Sequence, residues 1–149
     1  FLAKIAKNGG FIMVSSNNNF EYDLKFGQIW EQKIADILLN EKIEVKTERN
    51  QWKQTKNIVI ERAYKGKPSG LASTEASYWL HILDIDGVMA GALLFRTDVL
   101  KKVLNAMPNP NKVKGGDDNA SELILVSLTE LMELLTKVDI GDLNESRSE

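Results

Sequence analysis

The sequence predicts a single domain of the α/β (α+β) class. Its 149 residues are enough for one domain with a sizeable core. Apolar residues recur near the helical period of 3.6 between positions 26 and 40, whereas 43–48 alternates with the period of a β-strand and 57–64 is rich in β-branched residues. The predicted order of elements (helix, strand, strand, helix, strand, strand, helix) is typical of this fold class.

Local signals place the individual elements. We expect strands at 11–15, 43–48, 57–64, 79–85, 88–95 and 124–127, and helices at 26–40, 73–77, 97–105 and 128–136. The predicted N-caps are Asp23, Ser73 or Thr74, Thr97 and Thr129. Gly27 is expected to delay the start of the first helix. The domain is expected to span 1–149, with an N-terminal segment at 1–19 and a frayed acidic tail at 139–149.

Composition excludes several classes of site. The chain has no cysteine, which excludes disulfides, thiolate zinc sites and cysteine nucleophiles. His81 is the single histidine, and we expect it to be a packed, hydrogen-bonded residue rather than a zinc ligand. No apolar run approaches the roughly 18–20 residues that a membrane helix needs. We therefore expect a cytoplasmic protein without a membrane partner.

Charge is unevenly distributed along the chain. The net charge is only −2. Residues 41–67 contain eight basic and four acidic residues, whereas 117–149 contain nine acidic and two basic residues. The basic segment is where a phosphate backbone would find its partners. A solvated loop that carries lysines is the alternative interpretation.

The two central strands carry charged residues in an order that suggests a site. In an extended strand, Glu44, Lys46 and Glu48 lie on one face. Glu61 directly follows the apolar run 58–60, and a carboxylate in such a run needs a partner, a metal or a shifted pKa. Carboxylates beside a lysine are what a divalent-metal phosphodiesterase needs. The same alternation also fits the solvated face of an antiparallel sheet.

An ordered set of motifs resembles the PD-(D/E)XK nuclease superfamily, closest to its small phage-type and resolvase-like members. The resemblance covers roughly residues 20–83, with a weaker echo in GGDD at 115–118. The motifs are YDLKFG at 22–27, Glu31, EVKTE at 44–48, NIVIE at 57–61, GKPSG at 66–70 and TEASYW at 74–79.

The resemblance implies an αβββαβ core like that of restriction endonucleases, in which a mixed central β-sheet is flanked by helices. It also implies Mg²⁺-dependent cleavage of DNA, with Mn²⁺ as a substitute for Mg²⁺. It makes Glu31 the acid on the helix, and Glu48 and Glu61 the strand acids that hold the metal. The family lysine is expected two residues after Glu61, where Ala63 stands. Lys46 is the candidate that supplies the ammonium group instead, to orient or deprotonate water or to offset charge in the transition state.

An alternative register takes Glu44-Val45-Lys46 as the acid-x-lysine element, with Asp23 as the only acid upstream of the helix. In either register, DNA is the expected partner, and branched or nicked DNA is the expected substrate. The expected oligomer to test is a homodimer. The residues expected to contact the DNA backbone are Arg49, Lys53, Lys56, Arg62, Lys65 and Lys67. Two other hypotheses stay open, namely a catalytically impaired relative that only binds nucleic acid and a small α/β interaction module.

Overall fold

The computed structural model describes residues 3–5, 11–13 and 20–139, with side chains from residue 21 onward. Internal contacts divide the chain into two compact units, Phe1–Glu41 and Lys42–Glu149. In the first unit, β1 (Ala3–Ile5) pairs antiparallel with β2 (Phe11–Met13), and α1 spans Phe20–Asn40.

Helix α1 begins six residues before the predicted start at 26. Asp23 therefore lies within the first turn rather than at the N-cap, together with Glu21. Acidic side chains in this turn interact favourably with the positive end of the helix dipole. Gly27 is an ordinary helical residue, because the cost of about 0.5–1 kcal/mol for a glycine is small for a helix of 21 residues. The expected delay at Gly27 was wrong.

The second unit contains a three-stranded mixed sheet. In it, β3 (Ile43–Glu48) runs parallel to β6 (Tyr78–Ile85), and β6 runs antiparallel to β7 (Val88–Arg96). The hairpin between β6 and β7 turns at Asp86 and Gly87, which have φ of 52° and 83°. Positive φ at both central residues is the requirement of a type I′ hairpin turn, which explains the Asp-Gly pair.

A four-stranded antiparallel sheet forms the rest of the second unit. Its order is β5 (Lys67–Pro68), β4 (Asn57–Tyr64), β9 (Ser121–Ser127) and β8 (Asn111–Gly115). The sequence predicted no strand at 111–115. This strand is at the edge of the sheet and has exposed lysines, which is typical of edge strands and weakens the strand pattern in the sequence.

Three helices accompany these sheets: α2 (Trp52–Thr55), α3 (Thr97–Asn105) and α4 (Leu128–Leu135). Side chains from both sheets and from the two longer helices form one core. Its fully buried members include Ile58, Ile60, Trp79, Leu100, Val103, Ile124, Val126 and Leu131. Burial of each aliphatic side chain contributes about 1.5–3 kcal/mol, so this core stabilises both sheets together.

The helices α3 and α4 begin at residues 97 and 128, as predicted, but the helix expected at 73–77 is absent. Residues 73–77 form no helix, and a 3₁₀ turn at Gly70–Ala72 precedes them. The Thr74 hydroxyl instead accepts a hydrogen bond from the Ala76 amide at 3.2 Å. Such local bonds compete with helix formation, which is why a serine- and threonine-rich segment can resemble a helix start.

The expected caps of α3 and α4 were each wrong by a residue or two. Arg96 occupies the N-cap of α3, and the Thr97 hydroxyl is buried without a hydrogen-bond partner among the described residues. For α4 the cap is Ser127 rather than Thr129, and its hydroxyl accepts from the Glu130 amide at 3.5 Å. Neighbouring hydroxyl residues give the same sequence signal, so only the backbone geometry distinguishes them.

The predicted α/β (α+β) class is confirmed, and the sheet that contains β3 is mixed as expected. The strands of the second unit form two sheets where the sequence predicts one central sheet. Of the predicted acidic tail, residues 140–149 lie outside the described residues, as does most of the segment 1–19.

Candidate functional site

The charged face of β3 is turned toward the interior. In the register of the parallel pair, Glu44 lies beside Trp79 and Lys46 beside His81. Both neighbours on β6 are buried, with His81 only 1% exposed. By contrast, Val45 on the opposite face of β3 is 51% exposed. The face therefore packs against buried neighbours, while the Lys46 and Glu44 side chains stay 41% and 32% exposed.

Lys46 is held between a carboxylate and an indole ring. Its Nζ lies 2.7 Å from Glu44 Oε1 and 5.7 Å from the centroid of the Trp79 ring. The Thr74 hydroxyl donates to the other oxygen of Glu44 at 3.3 Å. The hydrogen bond from Lys46 is the largest influence that lowers the pKa of Glu44, and the charges of Lys46 and Lys42 and the Thr74 bond add to it against the opposing effect of burial. Glu44 is therefore ionised at neutral pH and fixes the position of the ammonium group.

Glu48 links the two sheets of the second unit. Its Oε2 accepts a hydrogen bond of 2.7 Å from the amide of Val59 on β4. The same oxygen lies 3.4 Å from Nε2 of His81. Strand β4 pairs along its length with β9 and meets β5 only at Ala63 and Tyr64, so this carboxylate satisfies an amide on the free edge of β4.

The surroundings of His81 determine its tautomer. An indole N–H is a donor only, so the 3.3 Å contact between Trp79 Nε1 and His81 Nδ1 requires Nδ1 to accept. The proton of the neutral ring then lies on Nε2, from which it is donated to Glu48. Trp79, His81 and Glu48 thus form a hydrogen-bonded chain that fixes one carboxylate oxygen at the end of β3.

Glu61 is half-buried and hydrogen-bonded to two serines. Its Oε1 accepts from the Ser69 hydroxyl, and its Oε2 accepts from the Ser121 hydroxyl at 2.8 Å. Gly70, the residue after Ser69, has a φ of 53°, and a Cβ at this position would lie 2.5 Å from the backbone oxygen of Glu61. Only glycine, which has no Cβ, allows this close approach, which explains why a glycine follows Ser69 in the chain.

These contacts separate the predicted site residues into groups. Lys46 pairs with Glu44, Glu48 with Val59 and His81, and Glu61 with its two serines. Across the part of the chain that the structure describes, no group of three histidine, aspartate or glutamate side chains is placed to hold a metal ion. Glu31 belongs to the first unit. The roles expected for Glu31, and for Glu48 and Glu61 as metal ligands, remain predictions.

The basic residues expected to contact DNA lie mainly in exposed positions. Arg49, Lys53 and Lys56 flank or occupy α2, and Lys65 and Lys67 lie at the turn between β4 and β5. Arg62 is the half-buried member of the set. Of these cations, none forms an ion pair with a described carboxylate.

Several residues at this site were missed in the sequence. Thr74, Ser69 and Ser121 hydrogen-bond to the predicted glutamates. Trp79 donates to His81, and its ring centroid lies 5.7 Å from the Lys46 Nζ. His81 was expected to be packed and hydrogen-bonded, which is confirmed, although its partner Glu48 was not foreseen. The available signal was the alternation that places Trp79 and His81 on one face of a strand.

Comparisons with protein-family models, with curated proteins and with solved structures found no match for this chain. Among the described helices, none is long and apolar enough to cross a membrane.

Proposed function

We propose that this chain is a DNA endonuclease that hydrolyses phosphodiester bonds, with Lys46 and Glu48 as its central reacting groups. The observation that carries the proposal is the inward-facing row Glu44, Lys46 and Glu48. Charged residues on the interior side of a strand cost free energy unless they are paired. This row is paired and still accessible, since the Lys46 side chain is 41% exposed.

Lys46 is positioned for contact with a phosphate. An ammonium group has three N–H donors, and Glu44 uses one of them. The others are available to a phosphate oxygen or to an attacking water. Because Glu44 and the Trp79 ring fix the group before a substrate arrives, little reorganisation is needed when negative charge develops on the phosphate.

Glu48 offers a second function at the same strand. His81 and the Val59 amide both approach Oε2, whereas Oε1 has no hydrogen-bond partner among the described residues. Oε1 can therefore accept a proton from water or bind a cation. The orientation of the carboxylate is set by Val59 and His81, so the direction in which Oε1 points is fixed as well.

DNA is the proposed substrate because of the unpaired cations beside this strand. The segment 49–67 follows β3 directly and carries Arg49, Lys53, Lys56, Lys65 and Lys67 in exposed positions. Contacts between such cations and backbone phosphates supply affinity without sequence specificity. Branched or nicked DNA and a cytoplasmic location also remain part of this proposal.

The proposal includes Mg²⁺, with Mn²⁺ as a substitute, and the dependence of DNA cleavage on this ion is to be measured. Hard divalent cations prefer carboxylate oxygens. A bound ion would lower the pKa of a water and offset charge on the phosphate. Among the described side chains, no group of three carboxylate or histidine ligands is placed to hold this ion.

A second candidate is a nucleic-acid-binding relative that has lost cleavage. Both oxygens of Glu61 are engaged by serine hydroxyls, and Ala63 stands where the resemblance expects a lysine. The substitution Ala63→Lys in a Lys46→Ala background tests whether a lysine at either position places its ammonium group at the same point in space. Recovered cleavage supports the active enzyme, whereas DNA binding without cleavage in every variant supports the second candidate.

The first experiment is nicking of supercoiled plasmid with and without Mg²⁺, together with a measurement of DNA binding. We expect binding and Mg²⁺-dependent nicking by the wild-type chain. Binding alone favours the second candidate. If the chain neither binds nor nicks DNA, both candidate functions are contradicted, and the hypothesis of a small α/β interaction module remains.

A further inference from the structure

A cavity of about 650 Å³ lies on the four-stranded sheet, away from the row of charges on β3. All four strands of that sheet contribute to its lining, and no residue of β3 does. Its volume is within the range of small-molecule binding sites, about 300–1,000 Å³. Its apolar wall includes Ala63, Pro68, Ala72 and Ile124.

The charges in this cavity are mainly positive. Arg62, Lys112 and Lys114 line it together with a single acidic residue, Glu122. Lys114 is paired with Glu122 at 3.0 Å. Within residues 21–139, no side chain forms an ion pair or a hydrogen bond with the Arg62 guanidinium or the Lys112 ammonium. The cavity therefore has two cations available to an anionic ligand.

A β-bulge directs Arg62 toward the cavity. In the ladder between β4 and β9, Glu61 pairs with Leu123 and Ala63 with Glu122, so Arg62 has no cross-strand partner. Bulges of this kind change the direction of a side chain and are frequent beside functional sites. The bulge is held in place by the Ser69 amide, which donates to the Arg62 carbonyl at 3.0 Å.

Arg62 also lines a smaller cavity of about 220 Å³ beside α3. That cavity adds Lys101 and Asn105 to the polar groups around the guanidinium. Arg62 is thus shared by two adjoining cavities that both carry lysine. A guanidinium with five donors in a fixed plane matches the oxygens of a phosphate better than a single ammonium group does.

We propose that the larger cavity binds a nucleoside monophosphate, free or as the phosphorylated end of a strand. The phosphate contacts Arg62 and Lys112, and the base lies against the apolar wall that includes Pro68 and Ala72. This site is separate from Lys46. The proposal does not rest on hydrolysis and applies equally to a chain that binds DNA without cleaving it.

The test is calorimetric titration of the whole chain with dAMP, without metal. We expect saturable binding of one dAMP per chain. Inorganic phosphate and deoxyadenosine should each bind more weakly, because each lacks one half of the contacts. Arg62→Gln should weaken dAMP binding by about 10–100-fold, the effect of losing a hydrogen bond to a charged group. Lys112→Gln, at an exposed position of an edge strand, provides the same test should the Arg62 variant fail to fold.

Lys137→Gln is the matched control, since it removes an exposed lysine that does not line the cavity. It should leave dAMP binding unchanged. Three results would overturn the proposal. They are no saturable binding of dAMP, binding of inorganic phosphate as tight as that of dAMP, and an unchanged affinity for dAMP in the Arg62 and Lys112 variants. An oligonucleotide with and without a 5′-phosphate then identifies the source. A phosphate-dependent gain that Arg62→Gln removes assigns the site to strand ends, and equal binding assigns it to free nucleotides.

Discussion

Replacing Glu48 with alanine should destabilise the protein strongly, although the residue lies at the end of an edge strand. The side chain is only 15% exposed, and its Oε2 accepts from the Val59 amide and contacts His81 Nε2. Removal of the carboxylate leaves a backbone donor and a buried imidazole donor without their acceptor. An unsatisfied buried donor costs about 1–3 kcal/mol. We expect a total loss of about 2–4 kcal/mol, because water can reach part of the Val59 edge.

The assay is equilibrium unfolding in urea, with Glu48→Gln as the conservative comparison. The amide retains an oxygen acceptor, so its cost should be about 1 kcal/mol, since only the charge is lost. Glu75→Ala is the matched control. Glu75 forms an ion pair with Lys42, but its side chain is 86% exposed, and we expect a change within about 0.5 kcal/mol. If Glu48→Ala is no more destabilising than Glu75→Ala, the carboxylate does not link the two sheets and the account of this region is wrong.

Two further predictions concern pH and salt. The hydrogen bond from Lys46 is the chief cause that lowers the pKa of Glu44 in the folded state. The ionised Glu44 therefore stabilises the fold fully above its unfolded pKa of about 4.3. This stabilisation is lost as the pH falls through the lower pKa of the folded state. The stability difference between wild type and Glu44→Gln should therefore be constant near neutrality and vanish in acid, and a difference that grows below pH 4 would contradict this. Neutralising Lys53 and Lys56 together should reduce the slope of log affinity for DNA against log salt by up to about 2. An unchanged slope would place the DNA surface elsewhere.

The sequence predicted strands well where periodicity and burial agree. The boundaries of β3 at 43–48 and β4 at 57–64 are as expected, because alternating or β-branched runs there end at polar segments. Helix caps were predicted less well than the starts of α3 and α4: Ser127 and Thr129 carry the same capping group, and only the backbone geometry selects Ser127. The start of α1 was missed because acidic residues in a first turn resemble a cap.

For the candidate site, the sequence predicted which residues share a strand face but not which way that face turns. The alternation of β3 fits either a solvated or a buried charged face, and the buried neighbours Trp79 and His81 decide it. These neighbours lie more than 30 residues away along the chain, so no local pattern shows them. The bond of Glu61 to Ser121 also joins residues far apart in the chain, whereas Ser69 is only eight residues from Glu61.

The measurement that tests the central claim most directly is the rate at which Lys46→Ala nicks supercoiled plasmid in Mg²⁺, relative to wild type. We predict a rate about 10²–10⁴-fold lower, the usual range for a positioned proton-transfer group, with DNA binding retained. Lys42→Ala is the control, since it removes an exposed lysine at the other end of the same strand, and it should nick at the wild-type rate. Nicking by Lys46→Ala at the wild-type rate would contradict the assignment of Lys46 to the site.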